Sequence, residues 1–219
     1  CERPWYGSTD RDAVPARAPG PEAWQGKCGF LSAYHHELGC SGMTDAQWRE
    51  LQGTYFDLSA RADHQLSVVI DALREAGMYD DTALFFFSDH GDYTGDYEVV
   101  EKHAICFEDC LTRVPFVVKP PAGTPVTPGV RDTLVELLDF PATVEAITGL
   151  RMPEVHFGRS LLPTIADPAV PHRDQVLCEG GKLAAEWTAI PGEMQGKEPQ
   201  PGGMYYPKQI LAHRELQHI

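Results

Sequence analysis

Apolar residues recur at steps of three and four from Thr44 onward, and Trp48, Leu51, Tyr55, Leu58, Leu66, Val69 and Leu73 fall on one helical stripe. Thr44-Asp45-Ala46-Gln47 reads as a capping box, in which hydroxyl and amide satisfy the orphan donors of a helix start. Gly77 is the natural stop. The pattern therefore predicts one long helix from 44 to 76. Beyond the polar Asp80-Asp81 turn, Ala83-Leu84-Phe85-Phe86-Phe87 is a run without alternation, as expected of a strand buried on both faces. Val114-Pro115-Phe116-Val117-Val118 predicts a second strand, with Pro115 near its start where no ladder donor is needed.

Leu134, Leu137, Leu138, Val144 and Ile147 mark helical structure interrupted or restarted at Asp139-Phe140-Pro141, and Gly149 ends it. Val176-Leu177-Cys178 is a candidate third strand. Residues 1–40 are rich in Pro and Gly and read as loop with one short element. Pro191 to Pro207 reads as a long irregular segment, and Gln209 to Ile219 suits either a short helix or a strand. These elements define an α/β fold with at least partly parallel pairing. The expected organisation is a loop-rich lead-in (1–43), an α/β core segment (44–190) and a Pro/Gly-rich extension and tail (191–219).

Composition narrows the partners. Eighteen Lys and Arg stand against 32 Asp and Glu, a net charge of −14 without a basic run, so no nucleic-acid partner is expected. No stretch approaches the ~18 apolar residues of a membrane span, so no membrane partner is expected either. The six cysteines form no C-x-x-C pair and read as structural, mostly buried thiols, with a lean to a reducing, cytoplasmic compartment. Homo-oligomerisation stays open. The opening Cys1-Glu2-Arg3-Pro4-Trp5 lacks the charged start and apolar run of a signal peptide and reads as a cut end.

Candidate chemistry concentrates in Ser88-Asp89-His90-Gly91-Asp92, directly after the Phe-rich strand. Ligands of open α/β sheets bind outside the carboxyl ends of strands. A carboxylate and a neutral imidazole there make half of a divalent metal site, and Gly91 permits close approach of the backbone to a ligand. Glu101-Lys102-His103 follows, where Lys102 offers positive charge to an anionic substrate. His103 either enters the pocket or covers the lysine stem from outside. His35-His36, in a Gly-flanked loop, read as surface groups.

The order of these pieces resembles the sulfatase family of the alkaline phosphatase superfamily. It runs from the long helix and buried strand through Ser88-Asp89-His90-Gly91-Asp92, Lys102 and Glu108 to Arg113-Val114-Pro115. Phe157-Gly158-Arg159-Ser160-Leu161-Leu162-Pro163 is similar to the family's D-G-x-S-L-L-P segment, and the resemblance covers roughly residues 44 to 180. It implies an alkaline-phosphatase-like sheet with flanking helices, here incomplete, and hydrolysis of a small anionic sulfate ester. Asp89 and His90 would be metal ligands, Lys102 the contact to the sulfate oxygens, and His103 a weaker candidate beside it. Calcium is the expected divalent cation, with manganese or zinc as alternatives that suit imidazole better.

The family's nucleophile is a formylglycine made from a C/S-x-P-S-R motif, and no such stretch occurs in these 219 residues. The early acidic metal ligands have no counterpart either. The expectation is an internal or carboxy-terminal-half segment of a sulfuric ester hydrolase, inactive alone. The alternatives are a phosphonate or phosphodiester hydrolase of the same superfamily, or a non-catalytic truncated binding module.

Overall fold

The computed structural model describes residues 1–27, 29–103 and 106–179. The expectations for 191–207 and 209–219 lie outside the described residues. Two compact units divide the chain: one contains Cys1–Leu66 and His90–Arg113, the other Ser67–Asp89 and Val114–Cys178. Among the described residues no helix is long and apolar enough to cross a membrane.

In the first unit, helix α1 (Gly29–Glu37) precedes α2 (Asp45–Glu75). The capping box forms as expected: the Gln47 N–H donates to the Thr44 hydroxyl, and the Thr44 N–H donates to Gln47 Oε1 at 2.8 Å. At the far end, in the second unit, Gly77 (φ +67) turns the chain out, with Gly77 N–H on the Arg74 carbonyl and Met78 N–H on that of Leu73. That pair of bonds is a Schellman stop. The predicted stripe is buried only near its start: Trp48 is enclosed, whereas Tyr55, Leu58 and Val69 are exposed.

Helix α1 supplies the one short element expected within residues 1–40. Leu31, Tyr34 and Leu38 line one face of it, and the flanking glycines masked this short period. Leu31 and Tyr34 join Tyr93, Val99 and Leu111 in the core of this unit. The early segment is fastened to α2 by a buried carboxylate. Asp57 accepts from Gly7 N (2.8 Å), Ser8 Oγ (3.0 Å), Thr9 N (2.8 Å) and the Arg11 guanidinium (3.0 Å). Arg11 also pairs with Glu50.

The Arg11 guanidinium and the Gly7 and Thr9 N–H groups hold the Asp57 carboxyl well below the usual carboxylate range. A depressed native value means stability that is present above the unfolded carboxylate pKa, about 3.9, and lost as the pH falls through the native one. Acidification below about pH 4 is therefore expected to loosen residues 7–11 from α2. Trp5, whose ring lies 5.0 Å from that of His64, reports the change through its indole NMR resonance. In Asp57→Asn the resonance should start displaced and stop responding in that acid range.

The second unit carries the sheet. Strands β1 (Leu84–Phe87) and β2 (Phe116–Lys119) pair antiparallel, with Phe85 opposite Val118 and Phe87 opposite Phe116. This corrects the parallel expectation, and β1 is not enclosed on both faces. Phe85 and Phe87 lie against Phe140 of α4 (Asp139–Thr148), with ring centroids 4.9 and 5.1 Å apart. Phe86 and Val117, paired on the opposite face, are exposed. Val176–Cys178 forms no strand; the Leu177 N–H goes instead to the Glu136 carboxylate at 2.8 Å.

Helix α4 restarts at Asp139 and ends at Gly149 (φ +74), as expected, while residues 134–138 are not helical. Asp139 is a buried hub. It accepts from Glu136 N (3.0 Å), Arg159 N (2.8 Å), His172 Nε2 (2.9 Å) and the Arg173 guanidinium. The Phe157–Pro163 segment docks on α4 through that Arg159 bond and through Leu161 N–H on Thr143 Oγ1 at 2.9 Å. Helix α5 (Leu162–Ala166) then begins with Pro163 in its first turn, where its missing N–H costs nothing. Between the strands, α3 (Asp109–Thr112) belongs to the first unit.

The cysteine expectation holds in part. Cys40 is buried, Cys106 and Cys110 are partly so, and Cys1 and Cys178 are exposed. Burial pushes the Cys110 thiol up to about 12, leaving it protonated and inert.

Candidate active site

Asp89 closes the segment that leaves β1, one residue after Ser88, and is exposed. His90 opens the next stretch of the first unit and is also exposed. Its Nδ1 lies 2.8 Å from the Gly91 carbonyl. A carbonyl only accepts, so Nδ1 is the donor in this contact. An imidazole oriented by a backbone carbonyl in this way has the protonation pattern of metal-ligating histidines.

Gly91 also has a part in the packing of the first unit. Its N–H donates to the Leu111 carbonyl at 2.8 Å, and a Cβ on it would stand 1.9 Å from the Cys110 carbonyl oxygen. The close approach is backbone on backbone, between the residue after His90 and helix α3.

From Asp92 to Lys102 the chain folds into a tight loop. Four residues other than glycine occupy the left-handed region: Thr94 (φ +44), Tyr97 (+56), Glu98 (+53) and Glu101 (+65). Such backbone persists only when its surroundings over-determine it. Here Asp92 Oδ1 accepts from Thr94 N and Oγ1, Ala18 N donates to Asp96 Oδ1 (2.7 Å), and Tyr97 N donates to the Ala18 carbonyl (3.1 Å). Tyr93 N–H holds the Glu101 carbonyl at 3.0 Å.

Lys102 leaves this loop with its ammonium 3.5 Å from Glu101 Oε2 and a side chain 45% exposed. His103, partly buried, packs its ring edge-on against Tyr34 at 5.3 Å. The Tyr34 hydroxyl donates to the Lys102 carbonyl at 2.8 Å. Glu108 accepts from the Tyr93 hydroxyl at 2.8 Å and faces Lys27 at 3.4 Å. Burial raises the ionisation of Tyr34 and Tyr93 well above the ordinary phenol value, so both stay hydrogen-bond donors.

His35 departs from the surface reading. It sits on α1 with its side chain 12% exposed, beside Trp24 and 3.9 Å from Glu98, and burial lowers its pKa. Sequence alone does not mark Tyr34 or His35 as supporting the Lys102 loop, because the bounds of the short element that carries them are not legible. The Leu31-Tyr34-Leu38 spacing was the available signal.

Among the described residues no group of three or more His, Cys, Asp and Glu is placed to hold a metal ion.

Residues 12–150 match the Sulfatase family, and the chain belongs to that family. It is 30% identical over 173 residues to the multifunctional alkaline phosphatase superfamily protein PehA of Trinickia caryophylli, covering 74% of this chain and 33% of that one. Against the choline-sulfatase of Rhizobium meliloti it is 31% identical over 152 residues, covering 68% and 28%. The chain therefore spans about a third of the length of these curated relatives. A phosphonate monoester hydrolase from Silicibacter pomeroyi shares the fold, with a TM-score of 0.60 and 23% identity over 80% of this chain and 35% of that one.

Proposed function

We propose that this chain contributes to hydrolysis of an anionic sulfate ester, with Asp89 and His90 as metal donors and Lys102 as the contact to the ester's charged oxygens. The observation that carries the reading is the placement of Asp89 and His90 in adjacent positions just after β1, with His90 Nδ1 held 2.8 Å from the Gly91 carbonyl. Membership of the sulfatase family supports it. A divalent cation held there would supply Lewis acidity to the reacting ester. The chain's own residues bind and orient: Lys102 offers a point charge to an oxyanion, and the pinned loop limits where that charge can go. A phosphonate ester is the second substrate class, since the Silicibacter pomeroyi protein that shares the fold is named a phosphonate monoester hydrolase.

Calorimetric titration with calcium and manganese tests the metal donors. Weak binding is expected, falling about tenfold in both Asp89→Ala and His90→Ala. Unchanged affinity in both variants would remove the assignment. Because no C/S-x-P-S-R stretch is present in these residues, no turnover of an aryl sulfate is expected from the 219-residue chain alone. Hydrolysis abolished by Asp89→Ala would contradict that expectation.

A further inference from the structure

The bonds that hold the 92–102 loop end on the peptide of Lys102 itself. Its carbonyl receives the Tyr34 hydroxyl at 2.8 Å, one residue after the Glu101 carbonyl receives the Tyr93 N–H at 3.0 Å. Glu101 between these anchors has φ +65, so the backbone reaching Lys102 is bent into a conformation that needs support from outside. Tyr34 gives that support from a rigid place. It lies on α1, is 7% exposed, and packs against the core beside Tyr93, Val99 and Leu111. Its ring meets His103, the next residue along. The lysine is thus fixed at its backbone from the core side while its ammonium stands half in solvent.

We infer that Tyr34 is a positioning residue for Lys102: its hydroxyl sets the direction in which the ammonium meets a tetrahedral oxyanion. The inference rests on the reading of Lys102 as the oxyanion contact. Tyr93 provides a matched comparison from the same core. Its hydroxyl is also buried and bonded, but to the Glu108 carboxylate and not to the Lys102 peptide. A merely structural contribution of a buried phenol would appear equally in both tyrosines.

The test is a titration of the full 219-residue chain with inorganic sulfate, followed by the Lys102 amide resonance, or by neighbouring amides in Lys102→Ala, with a thermal melt on each variant. Lys102→Ala is expected to abolish the sulfate response. Tyr34→Phe should weaken sulfate binding about fivefold, the factor that one net hydrogen bond represents. Tyr93→Phe should bind sulfate as the unsubstituted chain does, although both Phe variants melt earlier. Sulfate binding unchanged by Lys102→Ala would overturn the role of Lys102 and this inference with it. A lost response in Lys102→Ala with normal binding in Tyr34→Phe would overturn the positioning role alone, as would equal weakening in the two Phe variants. Should Tyr34→Phe fail to fold, fluorotyrosine labelling of the unsubstituted chain replaces it. Sulfate must then shift the fluorine line of residue 34 and leave that of residue 93 in place, and an unmoved residue 34 overturns the inference.

Discussion

Asp139→Ala is expected to lower stability by about 3 kcal/mol, on the order of 10 °C in Tm, in a thermal melt followed by circular dichroism. The size follows from what the carboxylate holds. Burial pushes the Asp139 carboxyl up, but the Arg173 guanidinium, the Glu136 and Arg159 N–H groups and His172 together outweigh it and hold the group below the usual range. Alanine would leave a buried guanidinium with one remaining carboxylate, Glu136 at 3.0 Å, and two backbone donors without an acceptor. It would also release the Phe157–Pro163 segment at Arg159. Asp139→Asn, which keeps the shape and one acceptor oxygen, should fall between the two. A melt of Asp139→Ala within about 2 °C of the unsubstituted chain would show that the hub is not what holds the segment.

The second large effect is expected at Gly91. A methyl group there would meet the Cys110 carbonyl oxygen at 1.9 Å, its carbon at 2.9 Å and the Leu111 Cα at 3.1 Å. All three are backbone atoms that cannot rotate away, so either the Gly91–Leu111 bond breaks or α3 shifts. Gly91→Ala should cost at least about 3 kcal/mol in urea unfolding, the upper range for forced overpacking. Gly29→Ala is the control. A Cβ there meets nothing within 4 Å, and the residue opens α1, so the change should be neutral or stabilising by up to about 1 kcal/mol. Because Gly91 follows His90 directly, the same substitution should also alter metal titrations that a distant destabilising change leaves alone. Equal stability of the two alanine variants would contradict the packing argument.

Local chemistry made the helix ends readable in advance. Thr44, Gln47, Gly77 and Gly149 act through bonds to neighbours in sequence, and each does what its type suggests. The β-strands were placed by their apolar content, but pairing direction is a property of connections rather than of runs such as Leu84–Phe87, and that inference failed. The one short element expected in residues 1–40 is α1, but a nine-residue period between glycines does not fix its bounds. At the candidate site, Asp89, His90 and Lys102 stood out by type and order. The groups that hold the loop before Lys102 did not, since Tyr34, Ala18 and Asp96 act through contacts distant in sequence, and a tyrosine in a Pro/Gly-rich stretch carries no local mark of such a role.

The two-stranded ladder bears on how this polypeptide behaves when concentrated. Among the described residues neither outer edge of β1 or β2 meets another strand, and the Phe86–Val117 pair lies open to solvent on one face. Unsatisfied ladder groups beside bare aromatic surface are a template for strand addition, which natural sheets guard against with charges, bulges or prolines. Pro115 and Lys119 stand at the two ends of β2, yet Lys119 turns its ammonium onto the Tyr79, Asp80 and Thr82 carbonyls and is spent there. The flank of β1, four residues of Leu and Phe, has no such gatekeeper within it. Strand addition along that flank is the expected route of self-association when the isolated chain is concentrated.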